Sequence, residues 1–261
     1  MSKILRAKIL ANKPIAQNIY QLGLKISRNL KLSPGQFFMV RVKDDLEPLL
    51  NRPLSWFEYH SAKHYLSFVY QVVGRGTKIL SQRRPNEELS IIGPLGKGFE
   101  LKPVKGRILL VAGGVGMAGL WSLLERLKEK ANCSVNLVWG VRNKKQFYLL
   151  TRIPKPIKVF LATEDGSAGK KGLATDLAEK NLEKDKLDYI FACGPKAMLK
   201  RLAELSGKYK ISGYLLYEER MACGIGACLG CAVPDKNGGY LKACEDGPVF
   251  RFDEIDWDKV K

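Results

Sequence analysis

Short runs of β-branched, aromatic and aliphatic residues recur through the first hundred positions, at 4–10, 19–24, 37–42, 65–73 and 88–92. Gly, Pro, Asn and Ser lie between them, as turn residues lie between strands. A helical pattern first appears at 76–81. Strands at regular spacing, with almost no helix among them, predict an antiparallel β-barrel over residues 1–100.

The pattern changes at Gly106. Within residues 107–112, the stretch after Arg107 is a continuous apolar run, the signature of a parallel strand buried on both faces. Gly113-Gly114-Val115-Gly116 follows, and then a helix with Leu120, Leu123, Leu124 and Leu127 on one face. Further buried strands are predicted at 134–139, 157–162 and 189–192, and helices at 173–180 and 197–206. This alternation predicts a doubly wound parallel α/β domain over residues 101–212, joined to the barrel by a charged, Pro-Gly-containing connector near 100–105. Residues 213–261 have little helical pattern, and cysteines dominate them as a small third module.

The composition, 46% hydrophobic and 27% charged, is that of an ordinary globular protein. No run approaches the roughly 18 apolar residues of a membrane span. Residues 1–10 alternate charged with apolar side chains and lack the apolar centre of a secretory signal, so the cytoplasm is the expected compartment. The net charge is +18, unevenly spread. Residues 1–212 hold 38 Lys/Arg and 17 Asp/Glu, whereas 213–261 hold 6 and 9. The basic residues are scattered, with no interleaved aromatics and no nucleic-acid module; anionic dinucleotides or an acidic partner surface account for them better than nucleic acid does. His60 and His64 have no further ligand types nearby and read as exposed turn residues, and Cys133 reads as a buried apolar residue at a strand start.

The strongest chemical signal is Cys223, Cys228, Cys231 and Cys244, spaced C-x4-C-x2-C-x12-C. That spacing suits a 2Fe–2S cluster of the plant-ferredoxin type. The glycines between the first three let backbone N–H groups approach cluster sulfurs. A structural zinc site is the competing reading, but it ordinarily uses two short C-x2-C pairs. Such a cluster moves single electrons.

Two other segments carry weaker signals. Gly113–Gly116, between a strand and a helix, can admit a pyrophosphate to the helix N-terminus, or be a tight turn without a ligand. Cys193-Gly194-Pro195 lies at another strand end, on the edge where open α/β sheets bind ligands. In the barrel half, Arg52-Pro53-Leu54-Ser55 offers a guanidinium for a pyrophosphate and a hydroxyl for a ring nitrogen, and Gly74-Arg75-Gly76-Thr77 offers a second phosphate site. Arg-Pro-x-Ser by itself is equally a structural strand-to-turn segment.

Together these segments, in this order with Gly93-Pro94-Leu95-Gly96-Lys97-Gly98-Phe99, resemble the ferredoxin–NAD(P)⁺ reductase superfamily across the whole chain. The cysteine loop 219–228, the segment 244–250 and Thr163-Glu164-Asp165-Gly166-Ser167 are similar to the electron-transfer subunits of class 1B dihydroorotate dehydrogenases. Met117-Ala118-Gly119 departs from relatives that commonly carry a proline there.

The resemblance implies FAD on Arg52, Pro53, Leu54, Ser55, Val69, Tyr70, Gln71, Gly76 and Thr77. It implies NAD over Gly113, Gly114, Val115 and Gly116, with Cys193 and Gly194 beside the nicotinamide, and the 2Fe–2S cluster on the four cysteines. It implies an oxidoreductase subunit of de novo pyrimidine (UMP) biosynthesis. Its partner would be an FMN-containing dihydroorotate dehydrogenase catalytic subunit, in a heterotetramer of two of each, and electrons would pass from FMN through the cluster and FAD to NAD⁺. Bifurcating NADH:ferredoxin–NADP⁺ oxidoreductases and hydrogenase-associated flavoproteins share these modules. Four cysteine ligands, without a carboxylate among them, and the compact length favour the dihydroorotate dehydrogenase family. A zinc-stabilised interaction module is the alternative from another class. Arg142 leaves the choice between NAD and NADP open, because an arginine can accommodate a 2′-phosphate.

Overall fold

A computed structural model describes residues 3–45 and 47–260. Six strands close a barrel: β1 (Lys3–Ala16), β2 (Ile19–Ile26), β3 (Phe37–Arg41), β4 (Arg52–His60), β5 (Tyr65–Gln71) and β6 (Glu88–Leu95), in the spatial order β1-β2-β5-β4-β3-β6. The helix α1 (Arg75–Gln82) connects β5 to β6. The pattern anticipated all of these except β4, where Arg-Pro-x-Ser is the start of a nine-residue strand. His60 ends that strand and His64 caps the short 3-10 turn that follows.

Strand β3 explains how the barrel meets the rest of the molecule. Its run Phe37-Phe38-Met39-Val40 is apolar at every position, as expected of a strand covered on both faces. Phe38 and Val40 join the barrel core with Leu24, Phe68 and Ile91. Phe37 and Met39 point outward into a second core, which they share with Leu95, Val233, Ala243, Cys231 and Cys244. The cysteine-bearing segment is therefore seated directly on the barrel wall.

The second unit is a seven-stranded sheet with the order β10-β9-β8-β7-β11-β12-β15. Its first six strands in chain order are β7 (Gly106–Gly113), β8 (Cys133–Val141), β9 (Lys158–Thr163), β10 (Lys170–Lys171), β11 (Tyr189–Cys193) and β12 (Ser212–Leu216). The helices α2 (Met117–Lys128), α3 (Ala174–Lys184) and α4 (Lys196–Tyr209) complete the doubly wound pattern. No described helix is long and apolar enough to cross a membrane. Cys133 differs from its expected burial: it is partly exposed, its thiol aimed at the Val104 carbonyl 3.6 Å away.

The C-terminal segment adds a small hairpin, β13 (Ala232–Pro234) with β14 (Tyr240–Lys242), and then β15 (Val249–Arg251). Strand β15 pairs antiparallel with β12 and so extends the seven-stranded sheet. Just before it, the Gly247 carbonyl accepts a hydrogen bond from the Lys97 N–H at 2.5 Å, and the Pro248 carbonyl accepts one from the Tyr217 N–H at 2.8 Å. Gly96 has φ +73°, and a β-carbon there would stand 2.7 Å from the Gly247 oxygen, so this contact requires glycine. Phe250 then drops into the core beneath the cysteines, 3% exposed. Phe250→Ala should cost about 3–5 kcal/mol by opening a cavity where the units meet; a lowered midpoint in chemical denaturation checks it, and an unchanged midpoint would show that this side chain is not a rivet.

Candidate functional site

The carboxyl ends of β7 and β11 diverge at the sheet's switch point, because the chain moves outward from β7 in one direction and later returns on its other side. A cleft of about 740 Å³ opens there, lined by Gly113–Gly116, Cys193, Gly194 and Pro195, with Gln71 and Ile19 contributed by the barrel. Gly114 has φ +56° and open space where a β-carbon would stand, so a side chain would enter the cleft. A β-carbon on Gly116 would collide with the Cys193 carbonyl. The turn is braced from behind: Trp139 Nε1–H donates to the Gly114 carbonyl at 3.0 Å, and the Tyr148 hydroxyl donates to the Val115 carbonyl at 3.1 Å. Burial, with Cys193 nearby, holds the Tyr148 phenol well above its usual range, so it remains a donor. The bracing uses the turn's carbonyls and fits a dinucleotide held by N–H groups.

Cys193 stands at the inner end of the cleft. Desolvation, reinforced by the Glu218 carboxylate, pushes its thiol up to about 12, so it is neutral at physiological pH. Glu218 also lines the cleft, and desolvation followed by the charge of Glu219 raises its carboxyl. A β-carbon on Gly119, in the first turn of α2, would lie 3.2 Å from Cys193 Sγ and 3.7 Å from Ser55 Oγ. Barrel strand, nucleotide helix and β11 thus converge on one point.

On the barrel, the Arg52 guanidinium lies against Gly76, where any β-carbon would collide with it. It donates to the Leu50 carbonyl, and sits over the first turn of α1, whose N–H groups lack intrahelical partners. A cation over a helix N-terminus fits a diphosphate group. Thr77 turns inward: its hydroxyl accepts from the N–H groups of Val73 and Gly74 at 3.0 and 3.1 Å and donates to the Gly74 carbonyl. Leu54 and Tyr70 also face the barrel core, where the Tyr70 hydroxyl meets Asn12 Oδ1 at 3.0 Å. Thr77 and Tyr70, both buried, can offer a ligand only their backbone. Val69 and Gln71 point out toward the α/β unit, and Pro53 pairs with Met39 beneath the cysteine loop.

Cys223, Cys228 and Cys231 share one folded loop, and Cys244 joins them from beyond the β13–β14 hairpin. Cys231 and Cys244 are buried with sulfurs 3.3 Å apart, Cys223 is partly exposed and Cys228 exposed. Gly224 (φ +74°) and Gly226 (φ +81°) turn the backbone so that the Ile225 N–H donates to Cys223 Sγ at 3.4 Å and the Gly226 N–H to Cys244 Sγ at 3.1 Å. At Cys223, burial opposes ionisation, but N–H groups from Ile225, Cys228 and Ala227 prevail and lower its thiol to about 6. Burial and the neighbouring Cys231 push Cys244 up to about 12. Among the described residues, no three His, Cys, Asp or Glu side chains already converge on a point that could hold a metal ion. An all-thiol donor set with N–H groups aimed at sulfur fits an iron–sulfur cluster. A β-carbon on Gly224 would stand 3.0 Å from Met39 Sδ, so the loop rests on the barrel at close packing.

Sequence reasoning did not reach Glu164, Asp176, Met198, Arg201 or Glu218 as cleft residues. Glu164 lies in the Thr163–Ser167 segment and the others in no recognisable motif; all of them meet through the sheet's topology.

Residues 218–256 match the model of the iron–sulfur cluster binding domain of dihydroorotate dehydrogenase B, and 110–204 match the oxidoreductase NAD-binding domain. A dihydroorotate dehydrogenase B (NAD(+)) electron transfer subunit from Clostridium acetobutylicum is 38% identical over 95% of both chains. The namesake from Desulforamulus reducens is 36% identical over 99% of this chain and 100% of its own. Among solved structures, an NADH-dependent reduced ferredoxin–NADP oxidoreductase superposes with TM-score 0.87 at 29% identity, over 97% of this chain and 90% of that one. A cytochrome P450 reductase from Amycolatopsis, at TM-score 0.71 and 20% identity over 81% of this chain and 67% of that one, shares the fold. With likeness to the curated relatives running from the barrel through the cysteine loop, the chain belongs to the family of dihydroorotate dehydrogenase B (NAD(+)) electron transfer subunits.

Proposed function

We propose that this chain carries electrons from a partner dihydroorotate dehydrogenase subunit, itself holding FMN, to NAD⁺ in de novo pyrimidine synthesis, as two copies of each subunit in the cytoplasm. One observation carries this reading: the barrel wall that seats the cysteine loop belongs to the same barrel whose strand β4 faces the nucleotide cleft. Bound between them, a flavin exchanges hydride with nicotinamide and single electrons with an iron–sulfur centre.

Each segment has a separate task in this reading. Arg52, Gly76 and Thr77 hold the FAD diphosphate, and Pro53, Leu54, Ser55, Val69, Tyr70 and Gln71 line its ring and ribityl chain. Gly113–Gly116 hold the NAD diphosphate, while Cys193 and Gly194 bound the nicotinamide and keep water from the transfer. Cys223, Cys228, Cys231 and Cys244 hold the 2Fe–2S cluster at the exposed edge where Cys228 lies. The three working units are residues 1–100, 101–212 and 213–261.

Mixing the chain with its candidate catalytic subunit should produce dihydroorotate:NAD⁺ activity; no complex and no such activity would reject the assignment, and activity with ferredoxin and NADP⁺ in its place would favour the function named for the reductase it superposes on. Arg52→Ala should weaken FAD binding about ten- to hundredfold through loss of a charge-assisted contact. Flavin fluorescence titration reads this, and unaltered binding would remove Arg52 from the site. In Cys228→Ser, the ratio of partner-dependent turnover to NADH–ferricyanide turnover should fall at least about tenfold, since metal-ligand losses act on the electron route that uses the cluster. An unchanged ratio counts against a partner-facing cluster.

A further inference from the structure

Just beyond Ser55, the last expected ligand residue on this strand, β4 carries an irregularity. Its pairing with β5 shifts between Trp56 and Glu58, so that Phe57 is an extra residue in the ladder. Such bulges re-aim side chains, often beside active sites. Here Trp56 enters the barrel core, while Phe57 turns out and stacks on Trp121 of α2 with ring centroids 4.9 Å apart.

The shift also places Glu58 opposite Ser67, a hydroxyl residue with no exposed surface. Glu58 accepts from Gln21 Nε2 at 3.2 Å and lies 3.5 Å from Ser67 Oγ. Its third partner is Arg152, from the α/β unit. The Arg152 guanidinium lies 5.4 Å from the Trp121 ring centre and 6.0 Å from that of Phe57, over the stacked pair. An exposed ion pair contributes little, because two flexible chains must be ordered for it. This one differs: the Glu58 side chain is 16% exposed, its partners hold it in place, and the guanidinium rests on two rings.

The position of this assembly gives it a consequence. Phe57 and Glu58 follow Ser55 on β4, and Trp121 follows Gly119 on α2. Ser55 and Gly119 are the points at which barrel and nucleotide unit meet beside Cys193. A bolt between Glu58 and Arg152 therefore fixes the spacing of the two elements that bound the transfer site. We infer that Glu58 and Arg152 form an inter-unit clamp that positions the barrel face against the nicotinamide end of the cleft, and that they act on hydride transfer without touching either cofactor. Misplacement by about 1 Å can slow a positioned reaction a hundredfold.

This inference rests on the proposed flavin and nicotinamide sites, and its test keeps the two apart. The FAD-loaded chain, its Glu58→Gln and Arg152→Met variants and the double variant would be mixed with NADH in a stopped flow, following flavin bleaching. Each single change should slow the limiting bleaching rate about tenfold while leaving the NADH concentration for half-saturation and the FAD affinity unchanged. The double variant should be no slower than either single one, because both remove the same clamp. Arg152→Lys, which keeps charge but loses the planar fork and the stacking surface, should also be slow. Bleaching at the normal limiting rate in every variant overturns the clamp alone, and so do losses that multiply in the double variant or track FAD loss. An unmodified FAD-loaded chain that NADH does not bleach overturns the functional reading and the clamp with it.

Discussion

The segment from Gly247 to Arg251 holds this molecule together, because its backbone satisfies three separate structures at once. The Gly247 carbonyl closes on the barrel, the Pro248 carbonyl on the chain leaving β12, and β15 completes the nucleotide sheet. Three residues earlier stands the last cysteine, Cys244, in a turn closed by the N–H of Gly247 donating to the Lys242 carbonyl at 3.3 Å. Buried backbone groups must be paired, so none of these neighbours can shift independently. A mobile cluster module would give electron transfer a variable distance; this junction gives it one.

The same logic explains why the barrel is apolar on its outside. A free-standing small barrel presents polar residues outward, but here Phe37, Met39 and Leu95 face the cysteine module while Phe57 and Val69 face α2. The barrel is gripped between two cores. Its interior, with Leu22, Phe38 and Phe68 fully buried, supplies the rigidity that lets its walls serve as two mounting surfaces. Close approach is paid for in glycine: Gly224 against Met39 and Gly116 against Cys193 leave no room for a methyl group.

Charge and polarity follow the same division. In the cleft, the carbonyls of the Gly113–Gly116 turn are braced from behind, and on the barrel one guanidinium lies over a helix start. The cysteine loop relies on N–H groups aimed at sulfur, which lower Cys223 despite its burial. Cys193, by contrast, is pushed up by desolvation and by Glu218 and stays a neutral thiol. One element therefore occurs in two roles, decided by what surrounds each sulfur.

Local pattern determined much of this. Continuous apolar runs marked β7 and β11, because strands buried on both faces need no polar alternation, and the cysteine spacing marked the cluster loop, because three of the four cysteines fall within nine residues of one another. Tertiary structure decided the rest. Strand β4 hid behind a proline and a bulge, and β15, three residues long, is too short to show any period. That Leu54, Tyr70 and Thr77 turn inward is set by which face of the strand or turn meets the core, a fact with no local signature. The cleft's Glu164, Arg201 and Glu218, and the pairing of Glu58 with Arg152 across 94 residues, depend on strand order in a folded sheet. Periodicity reports what a residue's immediate neighbours bury; it cannot report which distant segment will arrive to bury it.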